Sequence, residues 1–206
     1  MNAYLITAAL GYLLGSIPFG YLLVRIFRGE DVRATGSGNI GATNVARRSP
    51  ALGIATLLLD AGKGFAAVLI AKYIFTEPHQ QLLLATSALF AVLGHLFPLW
   101  LKFHGGKGVA TSLGSFALIA PKSILCAVGV LLVVIAIFRY VSLGSILAAA
   151  SFPILVWILR EYAEPKVLFL LAAASLLIIW RHRENIRRIA MGTEPPLGSR
   201  TGAKTR

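Results

Sequence analysis

Acidic residues are scarce in this chain: 8 Asp and Glu stand against 20 Lys and Arg in 206 residues, a formal charge of +12. Charge of either sign is also sparse, at 14 % of residues, where an ordinary soluble domain carries roughly 25 %. Cysteine occurs once, at Cys126. No intramolecular disulfide can form, and Cys126 reads as a small packing residue in an apolar run. The four histidines have no carboxylate or cysteine partners at ligand spacing, so neither a metal nor a cofactor is expected. Apolar residues, by contrast, make up 57 % of the chain, and mean hydropathy is +0.76. A small soluble protein cannot hide that much apolar surface in one core, and disordered chains are poor in such residues. A soluble nucleic-acid binder would be basic too, but would not carry uncharged runs of this length, so no nucleic-acid partner is expected.

No Asp, Glu, Lys or Arg occurs in residues 1–24, 78–101 or 140–159, and shorter uncharged runs cover 108–121, 123–138 and 167–180. A bilayer span needs roughly 20 mostly apolar residues. The segment 51–75 is apolar except for Asp60, Lys63 and Lys72, and reads as a span with polar contents. The expectation is an all-α integral membrane protein: a bundle of about seven transmembrane helices, some short or broken, forming one domain over 1–190. The spans fall at 3–25, 51–75, 82–101, 108–121, 123–138, 143–159 and 167–180. Only Pro121-Lys122 separates the fourth from the fifth; a re-entrant hairpin there would give five spans without moving any loop to the other side. The first run has no Lys or Arg before it and exceeds the apolar core of a signal peptide, so it reads as a permanent span. Fifteen of the twenty Lys and Arg fall on one side, and four (Lys72, Lys122, Arg160 and Lys166) on the other. The positive-inside rule places the fifteen in the cytoplasm, with the N-terminus outside and the C-terminus inside. No internal repeat of the kind seen in inverted-repeat transporters is visible.

The unusual residues lie in the cytoplasmic loops. Loop 28–50 reads RGEDVRATGSGNIGATNVARRSP. Gly36, Gly38 and Gly41 let the backbone turn its N–H groups inward, and such concavities bind anions. Ser37, Asn39, Thr43 and Asn44 add side-chain donors, and Arg47 supplies a bidentate fork for phosphate. A flexible polar loop with positive-inside arginines is the ordinary alternative. The second loop carries Gly105-Gly106-Lys107-Gly108 directly before an apolar helix. Its backbone, the helix N-terminus and the Lys107 charge suit an anion, although the P-loop spacing is absent; a plain turn with an interfacial lysine is the alternative. Arg139 and Tyr140 fit an interfacial anchor, while Ser142 either caps the next helix or faces a ligand. His182 and Asn185 are i and i+3 and share a helix face, within a basic segment that also suits a lipid surface. Inside the membrane, Asp60 and Lys63 are i and i+3 and read as an internal ion pair or as pocket lining. His95 reads as a helix–helix hydrogen bonder. His79 and His104 read as loop residues without a role.

Four loops or helix ends on one face offer donors suited to more than one phosphate, and the surrounding bundle suits an acyl chain. The motifs Gly36-Ser37-Gly38-Asn39-Ile40-Gly41-Ala42-Thr43-Asn44, Gly94-His95-Leu96-Phe97-Pro98 with Gly105-Gly106-Lys107-Gly108-Val109-Ala110-Thr111, and His182-Arg183-Glu184-Asn185-Ile186 resemble the PlsY family of bacterial acylphosphate:glycerol-3-phosphate acyltransferases, in the family's order. The resemblance runs from about residue 8 to residue 189, and the segment 191–206 looks like a variable basic tail. It implies transfer of a fatty acyl group from acyl phosphate to the sn-1 hydroxyl of glycerol 3-phosphate, the first acylation of phospholipid synthesis. Lysophosphatidate and inorganic phosphate are the products, and the site opens to the cytoplasm from the bacterial inner membrane. By the same resemblance Arg47, Lys107, Ser142, His182 and Asn185 hold glycerol 3-phosphate. Ser37, Asn39 and the glycines of both loops cradle the acyl phosphate and the developing oxyanion, and Lys107, His182, Ser37 and Asn39 are the catalytic candidates. The His-x4-Asp motif of other glycerophosphate acyltransferases is absent after all four histidines. Two other classes remain: an organic-anion transporter, and a non-catalytic scaffold held to anionic lipid by Arg183, Arg187 and Arg188.

Overall fold

The computed structural model describes residues 3–76, 80–162 and 164–199, and every regular element in them is helical. Ten α-helices follow in order: α1 (Ala3–Gly15), α2 (Phe19–Arg28), α3 (Ala42–Ala46), α4 (Pro50–Ile74), α5 (Gln80–Leu96), α6 (Val109–Ile119), α7 (Pro121–Phe138), α8 (Val141–Ile158), α9 (Pro165–Arg181) and α10 (Arg183–Ala190). Short 3-10 turns lie at Val32–Ala34 and Leu99–Leu101. The all-helical membrane architecture is as the apolar runs foretold, and the long elements fall within a few residues of the expected spans.

The span expected at 3–25 is broken. Pro18 has no N–H to continue the hydrogen-bond ladder, so α1 ends at Gly15 and α2 restarts at Phe19. Ser49 and Pro50 start α4, with the Ser49 side chain accepting from Leu52 N, and Pro121 and Pro165 occupy the first turns of α7 and α9. Proline suits that position because its missing donor would be unpaired there anyway.

The number of crossings is fewer by length than expected. Among the described residues, five segments are long and apolar enough to cross, counting α1–α2 as one, and six if α9 and α10, bent by 53°, count together. The seventh expected span is α6, whose 11 residues extend only about 16 Å, half the hydrocarbon thickness. The loop before it packs into the protein: Gly105, Gly106 and Gly108 are all buried. At one end of α6, Gly108 faces Ile178 near the end of α9. At the other, the α6–α7 junction meets Glu161 just before α9, where Lys122 N and Ser123 N donate to its carboxylate.

Close helix pairs rest on small residues, as in other membrane bundles. A Cβ on Gly11 or Gly15 would collide with carbonyls of α5, and one on Gly94 with the Tyr12 carbonyl. Gly64 and Gly114 do the same between α4 and α6. The main core joins Val68, Ala88, Phe116, Phe152, Val156 and Leu171 across α4 to α9. A second cluster of Val24, Val32, Ile40, Val45 and Leu101 seats the first polar loop on α2 and on the Leu99–Leu101 turn. Cys126, expected to pack, is exposed. Helix α7 buries little beyond the face it turns to α8, and Cys126 lies on the remainder.

Candidate active site at one end of the bundle

The first loop is organised by one side chain. The Asn44 amide donates to the carbonyl oxygens of Val32 at 3.1 Å, Thr35 at 3.1 Å and Asn39 at 2.8 Å, and accepts from Ser37 N at 2.9 Å. Asn44 is 3 % exposed, so its polar atoms shape the loop and are not turned outward. Asn39 Oδ1 accepts from Gly41 N at 2.8 Å, which fixes the turn into α3. Gly36 adopts φ +58°, and a Cβ there would strike the Asn44 side chain. Ser37 and Thr43 are exposed beside it. Arg47 is half-buried next to Gly36, and its guanidinium makes no hydrogen bond or ion pair among the described residues. Its neighbour Arg48 pairs with Glu30 at 2.7 Å instead.

The second loop is clamped from both sides. Gly105 N and Gly106 N donate to the carbonyls of Leu96 and His95. The Arg181 guanidinium donates to the carbonyls of Gly105 at 3.0 Å and Gly106 at 3.1 Å. Gly108 sits at φ +86° just before α6, a conformation favoured by glycine. Held this way, Lys107 reaches Asn185, with Nζ donating to Oδ1 at 2.5 Å. Burial lowers the Lys107 pKa to about 8, with Arg188, Arg181 and Arg47 adding to the effect and Glu194 opposing it.

His182 lies at the bend between α9 and α10 and is 2 % exposed. Its Nδ1 lies 2.8 Å from the Ile178 carbonyl. A carbonyl only accepts, so Nδ1 carries the proton and Nε2 is left with its lone pair. Asn185, one turn on, is 5 % exposed. The basic segment 181–188 thus buries the two residues that share a face and exposes Arg183 and Arg187.

One residue at the centre was not expected. Glu194 lies beyond the segment read as the catalytic domain, yet it is 7 % exposed. Its Oε1 accepts from Ser142 at 2.6 Å and from Asn185 Nδ2 at 2.6 Å, and its Oε2 pairs with Arg188 Nε at 2.7 Å. Burial works to raise its pKa, but these three donors outweigh burial and hold it below the usual carboxylate range. Ser142 therefore faces Glu194 and does not cap α8. The turn at Gly192, with φ +67°, brings the glutamate back, and no sequence spacing announces it. Arg181 was also missed as a site residue, because an arginine ending a span has an ordinary topological reason to be there.

Lys107, His182, Asn185, Ser142, Arg188 and Glu194 thus form one cluster, with Arg47 within electrostatic reach. The exposed Ser37 and Thr43 and the partly buried Asn39 of the first loop lie at the same end of the bundle. No hydrogen bond among the described residues joins them to Lys107 or Asn185. An apolar cavity of about 60 Å³ opens between α6, α7, α8 and α9, lined by Val109, Ser112, Phe116, Ser145, Phe152 and Ile178. No group of three potential metal ligands occurs among the described residues.

The family model described as glycerol-3-phosphate acyltransferase matches residues 5–192. The chain belongs to this family. A glycerol-3-phosphate acyltransferase of Ehrlichia chaffeensis is 45 % identical over 197 residues, covering 96 % of this chain and 98 % of that one. One from Cereibacter sphaeroides is 49 % identical over 201 residues, covering 96 % and 91 %. Among solved structures, the glycerol 3-phosphate form of PlsY, an integral membrane glycerol 3-phosphate acyltransferase, superposes with a TM-score of 0.87 at 39 % identity, covering 96 % of each chain. The lysophosphatidic acid form of PlsY gives 0.85 at 38 % identity. Residues 5–192 take in every family motif quoted above, and the last described residues, including Glu194 on the Ser142–Asn185 pair, lie just past the matched segment.

Proposed function

We propose that this acyltransferase moves a fatty acyl group from acyl phosphate to the sn-1 hydroxyl of glycerol 3-phosphate, at a site open to the cytoplasm from the bacterial inner membrane. The observation that carries the reading is the joint arrangement of Lys107, Asn185, Ser142 and His182, with the uncommitted Arg47 guanidinium beside Gly36, next to an apolar cavity. Two phosphate-sized anions find cations and donors there, and the start of an acyl tail finds a mostly apolar cavity. The solved relatives named for glycerol 3-phosphate and lysophosphatidic acid forms support the acceptor and the product class.

Arg47, Lys107, Ser142, His182 and Asn185 hold the glycerol 3-phosphate. Ser37, Asn39 and those glycine N–H groups of the two loops that are not already bonded within the protein receive the acyl phosphate and the oxyanion that develops on its carbonyl; the N–H groups of Gly38, Gly41, Gly105 and Gly106 are committed to protein oxygens. The sn-1 oxygen attacks the acyl carbon, the bond from that carbon to the phosphate oxygen breaks, and phosphate leaves. No protein nucleophile is required, because phosphate is already a good leaving group, and orientation supplies much of the rate. Two acceptors are available for the hydroxyl proton: His182 Nε2 and the substrate's own phosphate. His182→Gln tests the first, because substantial turnover retained in that variant rules out His182 as the base. No cofactor enters this scheme. Purified protein given palmitoyl phosphate and glycerol 3-phosphate should release inorganic phosphate; a folded preparation that releases none would favour the transporter or scaffold readings.

A further inference from the structure

Three ionisable side chains lie buried inside the bundle and take no part in the scheme above. Asp60 and Lys63 come from α4 and His95 from α5, at 2 %, 5 % and 4 % exposure. Lys63 Nζ forms an ion pair with Asp60 at 2.7 Å, donates to the Ile17 carbonyl at 2.7 Å, and lies 3.0 Å from His95 Nδ1. An ammonium only donates. His95 Nδ1 is therefore the acceptor, and its proton is on Nε2. The Ile17 carbonyl is reachable because Pro18 interrupts the α1–α2 ladder there.

The His95 ring in turn lies against the second loop. A Cβ on Gly106 would fall on the Nε2 edge of the ring, and one on Gly105 would strike the His95 and Leu96 carbonyls. Gly106 N donates to His95 O at 3.0 Å. A contiguous chain thus runs from the α1–α2 break through Lys63 and His95 to Gly106, adjacent to Lys107. Buried charges in a membrane are costly and persist where they serve a purpose. A buried ion pair with no role beyond packing could be replaced by apolar groups with little loss.

We propose that Asp60, Lys63 and His95 are positioning residues that set the Gly105–Gly108 loop, and through it Lys107, in the geometry that receives the phosphate of glycerol 3-phosphate. The ion pair fixes the ammonium, the ammonium fixes the ring, and the ring forms the floor beneath Gly106. This rests on the reading of that loop as a phosphate site.

The test uses the whole protein in detergent. The double variant Asp60→Leu/Lys63→Met removes both charges together and leaves no unpaired buried charge. Its thermal midpoint should stay near that of the parent, while KM for glycerol 3-phosphate rises on the order of tenfold or more, as misplacing a binding group does. Glycerol 3-phosphate should raise the parent's thermal midpoint and fail to raise the variant's. If the double variant does not fold, His95→Ala serves, because Lys63 keeps Asp60 and Ile17; the same rise in KM is expected. A purely structural role would instead lower apparent kcat through loss of folded enzyme and leave KM unchanged. Parent-like KM in a folded variant, or a fall in kcat alone, overturns the proposal. A parent enzyme that releases no phosphate from acyl phosphate overturns the functional reading instead, and the two failures are distinct.

Discussion

Lys107 sits among Arg47, Arg181 and Arg188, and burial together with those cations brings its pKa down to about 8. A cation is what a phosphate needs, so function belongs to the protonated form. The sign follows: kcat/KM for glycerol 3-phosphate falls as pH rises through about 8, since that parameter reports the free enzyme. Lys107→Arg, with a guanidinium that stays charged, should abolish this alkaline fall whatever activity it retains, and a profile that keeps the fall would show that another group titrates. Lys107→Ala and Arg47→Ala should abolish turnover while leaving expression and membrane insertion intact; near-parental turnover in either removes the site assignment. Glu194 tests the cluster from the other side. Its pKa is held below the ordinary value by Ser142, Asn185 and Arg188. The stability it contributes is therefore present above the unfolded-state pKa and is lost as pH falls through the lower folded value. Thermal unfolding of Glu194→Gln should show a shallower loss of stability across the acid range than the parent, and parallel curves would contradict the shift. Glu194→Ala leaves the buried Ser142 and Asn185 without their acceptor, which costs about 1–3 kcal/mol per group.

Helices and loops divide sharply in how far the sequence announced them. The long apolar runs became α4, α5, α7, α8 and α9 with small shifts at the ends, because a lipid solvent leaves little choice but a helix. The break at Pro18 was missed because proline within an apolar run is a local matter that composition does not register. The shortness of α6 was half-visible in the narrow run 108–121; its cause, the loop of Gly105 to Gly108 entering the protein, is a tertiary fact. At the site, Lys107 stood out as a charge among glycines, and His182 and Asn185 as neighbours on one helix face. Asn44 was legible as a polar loop residue but not as the hub that holds the Gly36–Gly41 turn, since that needs the chain to fold back on Val32. Glu194 was invisible, because only the turn at Gly192 brings it to Asn185. The α4–α6 contact allows a prediction at this scale. Gly114 lies against the Ala61 carbonyl, and a Cβ would overlap it. Gly114→Leu should push α6 off α4 and lower the yield of monodisperse protein on size exclusion, whereas Gly129→Ala, in open space on α7, should not.

Taken whole, the molecule places its polar chemistry at one end. Arg28 meets the Arg48 carbonyl, Arg181 holds the Gly105–Gly106 loop, Lys107 meets Asn185, and Arg139 meets Leu197. The opposite end presents Lys122 beside Glu161 and the α8–α9 turn with Arg160. Along the sides, Leu5, Ile54, Leu58, Leu125, Ile137, Phe169 and other large apolar side chains are exposed, as a lipid-facing belt requires. Cations anchor preferentially on the cytoplasmic side, and on that ground we propose that the site end faces the cytoplasm. That orientation also agrees with the chemistry, because glycerol 3-phosphate and an acyl phosphate headgroup carry charge that cannot cross a hydrocarbon layer unaided. Single cysteines in a Cys126→Ala background test it. With a membrane-impermeant maleimide on right-side-out vesicles, Lys122→Cys and Arg160→Cys should label at once. Lys102→Cys and Arg187→Cys, both exposed at the site end, should label only after permeabilisation. The reverse pattern would turn the bundle over, and an acyltransferase whose Lys107 faced outward would need its phosphorylated substrates delivered from the wrong side of the membrane.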